Sequence, residues 1–111
     1  MSMPSYFKYD VILVRYPFSN LSNTKIRPAV IVSVQPPSQD LMITPLTSKT
    51  QSLFLGEFIL NDWAFAGLNV VTAVKRGIYT IDESLVIKVI GQLIETDQLQ
   101  IEKSLKIWLD L

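Results

Sequence analysis

Neither cysteine nor histidine occurs anywhere in the 111 residues. That double absence removes disulfides, thiolate nucleophiles, the commonest metal ligand and the commonest general base. A zinc site built on cysteine or histidine, a Ser-His-Asp triad and a two-histidine ribonuclease mechanism are all excluded. The four glycines form no GxGxxG and no phosphate-cradling P-loop, and HExxH is missing. No apolar run approaches the roughly 18–20 residues that a spanning helix needs, so no membrane partner is expected. Ten basic residues balance ten acidic ones, so bulk charge does not announce a nucleic-acid binder. The opening MSMPSYFK has no apolar core or small-residue cleavage site of a secretory signal, which makes the cytoplasm the expected location.

What is present fits a single domain spanning residues 1–111, because a chain of this size can bury a core of its own. Its hydrophobic fraction of 49% and mean hydropathy of +0.31 are high for a soluble protein, and the excess points to self-association or a partner surface. Charge is divided along the chain. Through Lys49 there are five basic residues against Asp10 and Asp40, a net of +3, and the remainder carries −3. The first half can therefore present a basic patch to phosphate.

Residues 9–16 are apolar with almost no polar break, as in a strand buried on both faces. Pro17 ends that run. A loop of Ser, Asn, Thr and Lys follows over 19–25, longer than a tight hairpin needs. Residues 26–34 form a second strand pattern, in which Pro28 belongs at a start or edge and leaves Arg27 just outside the regular ladder. After a turn at 35–39 come strand patterns at 40–46, 53–60, 70–75, 78–81 and 86–93. Asn61-Asp62 offers an N-cap to a short WAFA helix that Gly67 stops in a left-handed C′ position. Ile101, Leu105 and Trp108 then follow helical spacing, with Leu109 widening the stripe and Asp97 and Gln100 resembling a capping box, so 97–109 reads as a terminal helix. Short strands with one small and one terminal helix make a mostly β domain, a compact barrel or half-barrel.

Arginine, hydroxyl and carboxylate chemistry is what remains. Arg27 is planar, permanently charged and bidentate, which matches a phosphodiester and the extra charge of its pentavalent transition state. Thr47 and Ser48 can donate to a nonbridging or leaving oxygen. The same residues also fit a surface ion pair and a strand-end turn. Phe18, Phe54 and Tyr79 can stack on bases or serve in a core.

Tyr16-Pro17-Phe18 before a polar loop ending in Lys25, then Arg27-Pro28-Ala29-Val30-Ile31-Val32, then Ile43-Thr44-Pro45-Leu46-Thr47-Ser48, resembles the MazF/PemK toxins of type II toxin–antitoxin systems. Asp62-Trp63, Ala66-Gly67-Leu68, Thr80-Ile81-Asp82 and Ile90-Gly91-Gln92-Leu93 follow in the family's order, so the resemblance runs from about residue 9 to 109. It implies an SH3-like β-barrel with short helices, a homodimer with sites at or near the dimer groove, and a cognate antitoxin protein that occupies the groove, with DNA met only through the antitoxin complex. It also implies cleavage of single-stranded RNA without metal or cofactor. In that reaction the 2′-hydroxyl attacks the adjacent phosphate and leaves 2′,3′-cyclic phosphate and 5′-hydroxyl ends. The family's active arginine maps onto Arg27 and its active threonine onto Thr47. Lys25, Ser48, Arg76 and Phe18 are the substrate-binding candidates.

The chain departs from the pattern in two places. Lys75-Arg76-Gly77 stands where the PemK-like branch has the acidic residue assigned as base, and a cation cannot readily deprotonate a 2′-hydroxyl, so the base is left without a candidate. Tyr9 stands where relatives have glycine before Asp10. Two other readings stay open: a gyrase-binding, non-enzymatic toxin of the CcdB kind, suggested by Trp108 near the C-terminus, and a family member that only binds.

Overall fold

The computed structural model describes residues 6–16, 25–33 and 40–111. Among them are seven strands: β1 (Asp10–Tyr16), β2 (Lys25–Ile31), β3 (Asp40–Thr47), β4 (Phe58–Ile59), β5 (Ala73–Val74), β6 (Tyr79–Asp82) and β7 (Val86–Gln92). A 3₁₀ turn (Glu83–Leu85) precedes β7, and one α-helix, α1 (Glu95–Leu109), follows it. The protein is mostly β, as the strand patterns predict. The expected polar loop lies largely outside the described residues, as does the turn at 35–39.

All strand pairs are antiparallel, in the order β4-β5-β3-β2-β1-β7, with β6 alongside β3. The path is open between β4 and β7, and register shifts between β1 and β7 help to curve it into a barrel-like form. Alternate residues along β1 and β2 enter two different cores. Val11 and Val30 join Leu46, Leu60, Ala66, Val74, Leu93 and Ile101, while Ile12, Val14, Ala29 and Ile31 join Leu41, Ile43 and Ile81. This is why β1 has almost no polar break: both of its faces are covered.

Helix α1 closes the first core. Ile101 is buried, with Leu105 and Trp108 packed beside it. Ser104 Oγ donates to Gly56 O at 2.6 Å and Trp108 Nε1 to Leu55 O at 3.0 Å, so the helix is also tied to the loop beneath it. That loop must pass close: a Cβ on Gly56 would fall 2.4 Å from the Trp108 indole nitrogen. Leu109 does not widen the buried stripe; it is 52% exposed.

Three further expectations are corrected. The WAFA segment forms consecutive turns in place of a helix: Ala66 N–H donates to Asp62 O, Gly67 N–H to Ala64 O and Leu68 N–H to Trp63 O. Four residues between a cap and a stop are too few to repay helix nucleation, although Gly67 does take the left-handed φ of +88°. Asp97 does not cap its own helix, whose N-cap is Ile94 without a side-chain bond. Its buried carboxylate instead accepts from Asn61 N–H at 2.9 Å and Asp62 N–H at 3.1 Å. The 53–60 pattern yields only β4, because Glu57 N–H closes a turn on Phe54 O and leaves Phe54 76% exposed.

Candidate functional site

Val32 N–H donates to Met42 O, 2.9 Å away, which turns the backbone groups of even-numbered β2 residues toward β3. The pairs run Ile31↔Ile43, Val30↔Thr44 and Ala29↔Pro45. The next donor in that ladder falls at residue 28. Pro28 has no N–H, and the β2–β3 pairing stops there. Arg27 and Thr47, which the same register would set opposite one another, therefore stand at the point where the two strands part. On its other side Arg27 remains paired with Val14 of β1, so it lies within β2 and not outside the ladder as expected.

β3 changes partners at the same level. Its residues 40–43 pair with β6, and Leu46 and Thr47 pair with Val74 and Ala73 of β5. Pro45 lies at the changeover, its carbonyl accepting from Lys75 N–H at 2.9 Å. Because side chains alternate along a strand, Ile43, Pro45 and Thr47 share one face of β3. Tyr79, opposite Ile43, Lys75, beside Pro45, and Arg27, at the level of Thr47, fall on that face too.

A cleft of about 710 Å³ opens there, lined by Arg27, Thr47, Ser48, Lys49, Lys75 and Tyr79 together with Pro28 and Pro45. Leu68, Asn69, Val70 and Thr72 make another wall. That wall is fixed from behind. Thr72 Oγ1 donates to Val70 O at 2.8 Å. The turn before it is locked onto β7 through two close backbone approaches, since a Cβ on Gly67 would lie 2.0 Å from Ile90 O and one on Gly91 2.3 Å from Ala66 O.

The cleft is cationic. Arg27, Lys49 and Lys75 line it, none with an ion-pair partner among the described residues, and no Asp or Glu lies among the described lining residues. Thr47 is half-buried, and its Oγ1 accepts from Lys49 N–H at 3.1 Å, which leaves the hydroxyl proton available to an oxygen in the cleft. Glu57 supports the Lys75 side from outside, its Oε2 accepting from Arg76 N–H at 2.8 Å and its Oε1 from Phe54 N–H at 2.7 Å.

Of the residues singled out in the sequence, Arg27, Thr47, Ser48 and the stacking candidate Tyr79 come together here, while Phe54 does not line the cleft. Lys25 is exposed on β2 two residues from Arg27, and Arg76 is exposed after β5; neither lines the cleft. Phe18 lies outside the described residues. Lys49, Lys75 and Asn69 were not singled out as ligands, and no local pattern marks them, because they arrive through strand pairing and the Gly67–Gly91 contact. Trp108, the basis of the gyrase-binding alternative, is committed to Leu55 and the first core.

A family profile described as "PemK-like, MazF-like toxin of type II toxin-antitoxin system" matches residues 8–109. No curated protein matches. Among solved structures, the Mycobacterium tuberculosis toxin MazF-mt6 superposes with a TM-score of 0.75 at 20% identity, covering 92% of this chain and 97% of its own. MazF from Deinococcus radiodurans gives a TM-score of 0.76 at 16% identity, with 96% and 97% covered. An endoribonuclease from a mycobacterial species, solved in complex with its cognate antitoxin, gives 0.76 at 16% identity over the same shares. At these identities the three share the fold with this chain.

Proposed function

Because the chain belongs to the PemK-like, MazF-like toxin family of type II toxin–antitoxin systems, we propose that it is an endoribonuclease acting on single-stranded RNA, with Arg27 and Thr47 at its centre. The observation that carries this reading is that both side chains line one cationic cleft at the end of the β2–β3 ladder.

In this reading the Arg27 guanidinium holds the nonbridging oxygens of the scissile phosphate and strengthens its grip as a fifth oxygen adds charge to phosphorus. Thr47 donates its hydroxyl proton to the same group. The 2′-oxygen of the preceding ribose attacks phosphorus and the 5′-oxygen leaves. One proton departs from the 2′-hydroxyl and one reaches the 5′-oxygen, so the step balances without water and yields a 2′,3′-cyclic phosphate and a 5′-hydroxyl. Three cations and no carboxylate among the described lining residues suit a phosphodiester far better than a divalent ion, which supports a reaction without metal. Ser48 and Lys49 hold flanking phosphate. A homodimer and a cognate antitoxin that covers the cleft complete the proposal.

Incubation of the purified protein with a long RNA in EDTA tests it. Cleavage is expected, falling on the order of 10²–10³-fold for Arg27→Ala and on the order of 10²-fold for Thr47→Val. End-group mapping is expected to show cyclic phosphate and 5′-hydroxyl termini. No cleavage by the wild type, or undiminished cleavage by Arg27→Ala, defeats the reading.

A further inference from the structure

We propose that Tyr79 is the stacking platform for a nucleobase flanking the cleaved linkage, and that Gly77 is the residue that allows it to be one. This deepens the ribonuclease reading and rests on it for the identity of the ligand.

Tyr79 begins β6 directly opposite Ile43 and lines the same cleft as Arg27 and Thr47. Along β3, Ile43 lies four residues from Thr47, about 13 Å at strand rise, so the ring meets a neighbour of the reacting nucleotide and not the reacting linkage itself. The ring is 43% exposed, which is not the state of a core aromatic. It is nevertheless held at its hydroxyl end. A Cβ built on Gly77 would fall 2.8 Å from Tyr79 Cε2 and 3.2 Å from its hydroxyl oxygen, so the ring lies against glycine backbone where any side chain would displace it. Gly77 also holds a φ of +147°, which L side chains rarely adopt. A tyrosine held at its hydroxyl end and largely exposed on a concave wall presents an aromatic surface at the cost of ordering only two torsions.

Proteins that hold single-stranded nucleic acid combine cations along the backbone path with aromatic rings for the bases. The cleft has both parts in separate places: cations at the Arg27, Lys49 and Lys75 end, and the aromatic ring on the β6 wall. Every base has a π-face, so this contact anchors a nucleotide, while the base edges are left for other groups to read.

The test uses a short 2′-fluoro RNA oligonucleotide, which lacks the attacking hydroxyl and cannot be cut, with affinity read by fluorescence anisotropy. Tyr79→Leu is expected to weaken binding on the order of 10-fold, and Tyr79→Phe to stay within about two-fold of wild type. Gly77→Ala is expected to weaken binding as Tyr79→Leu does. Abasic substitution at one position is expected to abolish the difference between wild type and Tyr79→Leu, and at the other positions to preserve it. Equal affinity of Tyr79→Leu and wild type, a defect that no abasic position removes, or no binding by wild type overturns the proposal. Cleavage of unmodified RNA is scored separately. Absent cleavage with Tyr79-dependent binding defeats only the nuclease reading, and cleavage with Tyr79-independent binding defeats only this one.

Discussion

Thr44 sits in the middle of β3, fully buried, and its hydroxyl has no hydrogen-bond partner among the described residues. A buried hydroxyl without a partner carries its desolvation cost uncompensated. Thr44→Val keeps the shape and removes that cost, so the denaturant midpoint is expected to rise by the equivalent of about 1 kcal/mol. Tyr9 behaves differently. It takes a left-handed φ of +74°, which glycine adopts more readily than tyrosine, and its hydroxyl donates to Glu102 of α1 while Lys8 pairs with the same carboxylate at 2.9 Å. The Lys8 ammonium, and next the Tyr9 hydroxyl, hold the Glu102 carboxyl below its ordinary value near 4.5. A depressed folded-state value means that the stabilisation is complete above the ordinary value and is lost as pH falls through the folded one. The gap in melting temperature between wild type and Glu102→Gln is therefore expected to shrink as pH drops below 4.5. The sequence shows only a tyrosine before Asp10; that Glu102, 93 positions away, ties it down is a fact of folding alone.

Elements that announce themselves by periodicity were legible, and those that depend on a distant partner were not. The nearly continuous apolar run of β1 and the Ile101, Leu105, Trp108 spacing of α1 each state which faces are covered, and the structure agrees. Asp97 looks like a cap for its own helix because the sequence shows only its neighbours. Its true partners are the backbone donors of Asn61 and Asp62. Asp97→Ala strips two donors of a charged acceptor inside the protein and is expected to cost about 2–3 kcal/mol, read as a loss in unfolding free energy. The turn that those donors begin is also pinned at its far end by Gly91. Gly91→Ala drives a methyl against the Ala66 carbonyl and is expected to cost about 1–3 kcal/mol. Arg27 and Thr47 could be picked out from their strand ends and Tyr79 named as a candidate stacker, whereas the placing of Lys75 and Tyr79 in the same cleft follows only from β3 exchanging β6 for β5 along its length.

At the scale of the whole molecule, net charge is zero and yet the cleft is positive, because three of its cations lack counterparts among the described residues. If Arg27, Lys49 and Lys75 each neutralise one phosphate, the logarithm of RNA affinity is expected to fall against the logarithm of salt concentration with a slope of about −2, and Lys75→Gln is expected to make that slope shallower by about 0.7. A slope near zero in wild type would show that the patch does not meet phosphate. One ring nitrogen governs where this patch is displayed. Were an ordinary amide to occupy position 28, the seam between β2 and β3 could zip one rung further and draw the guanidinium and the alcohol into sheet packing. The mouth of the molecule is held ajar by a bond that proline cannot make.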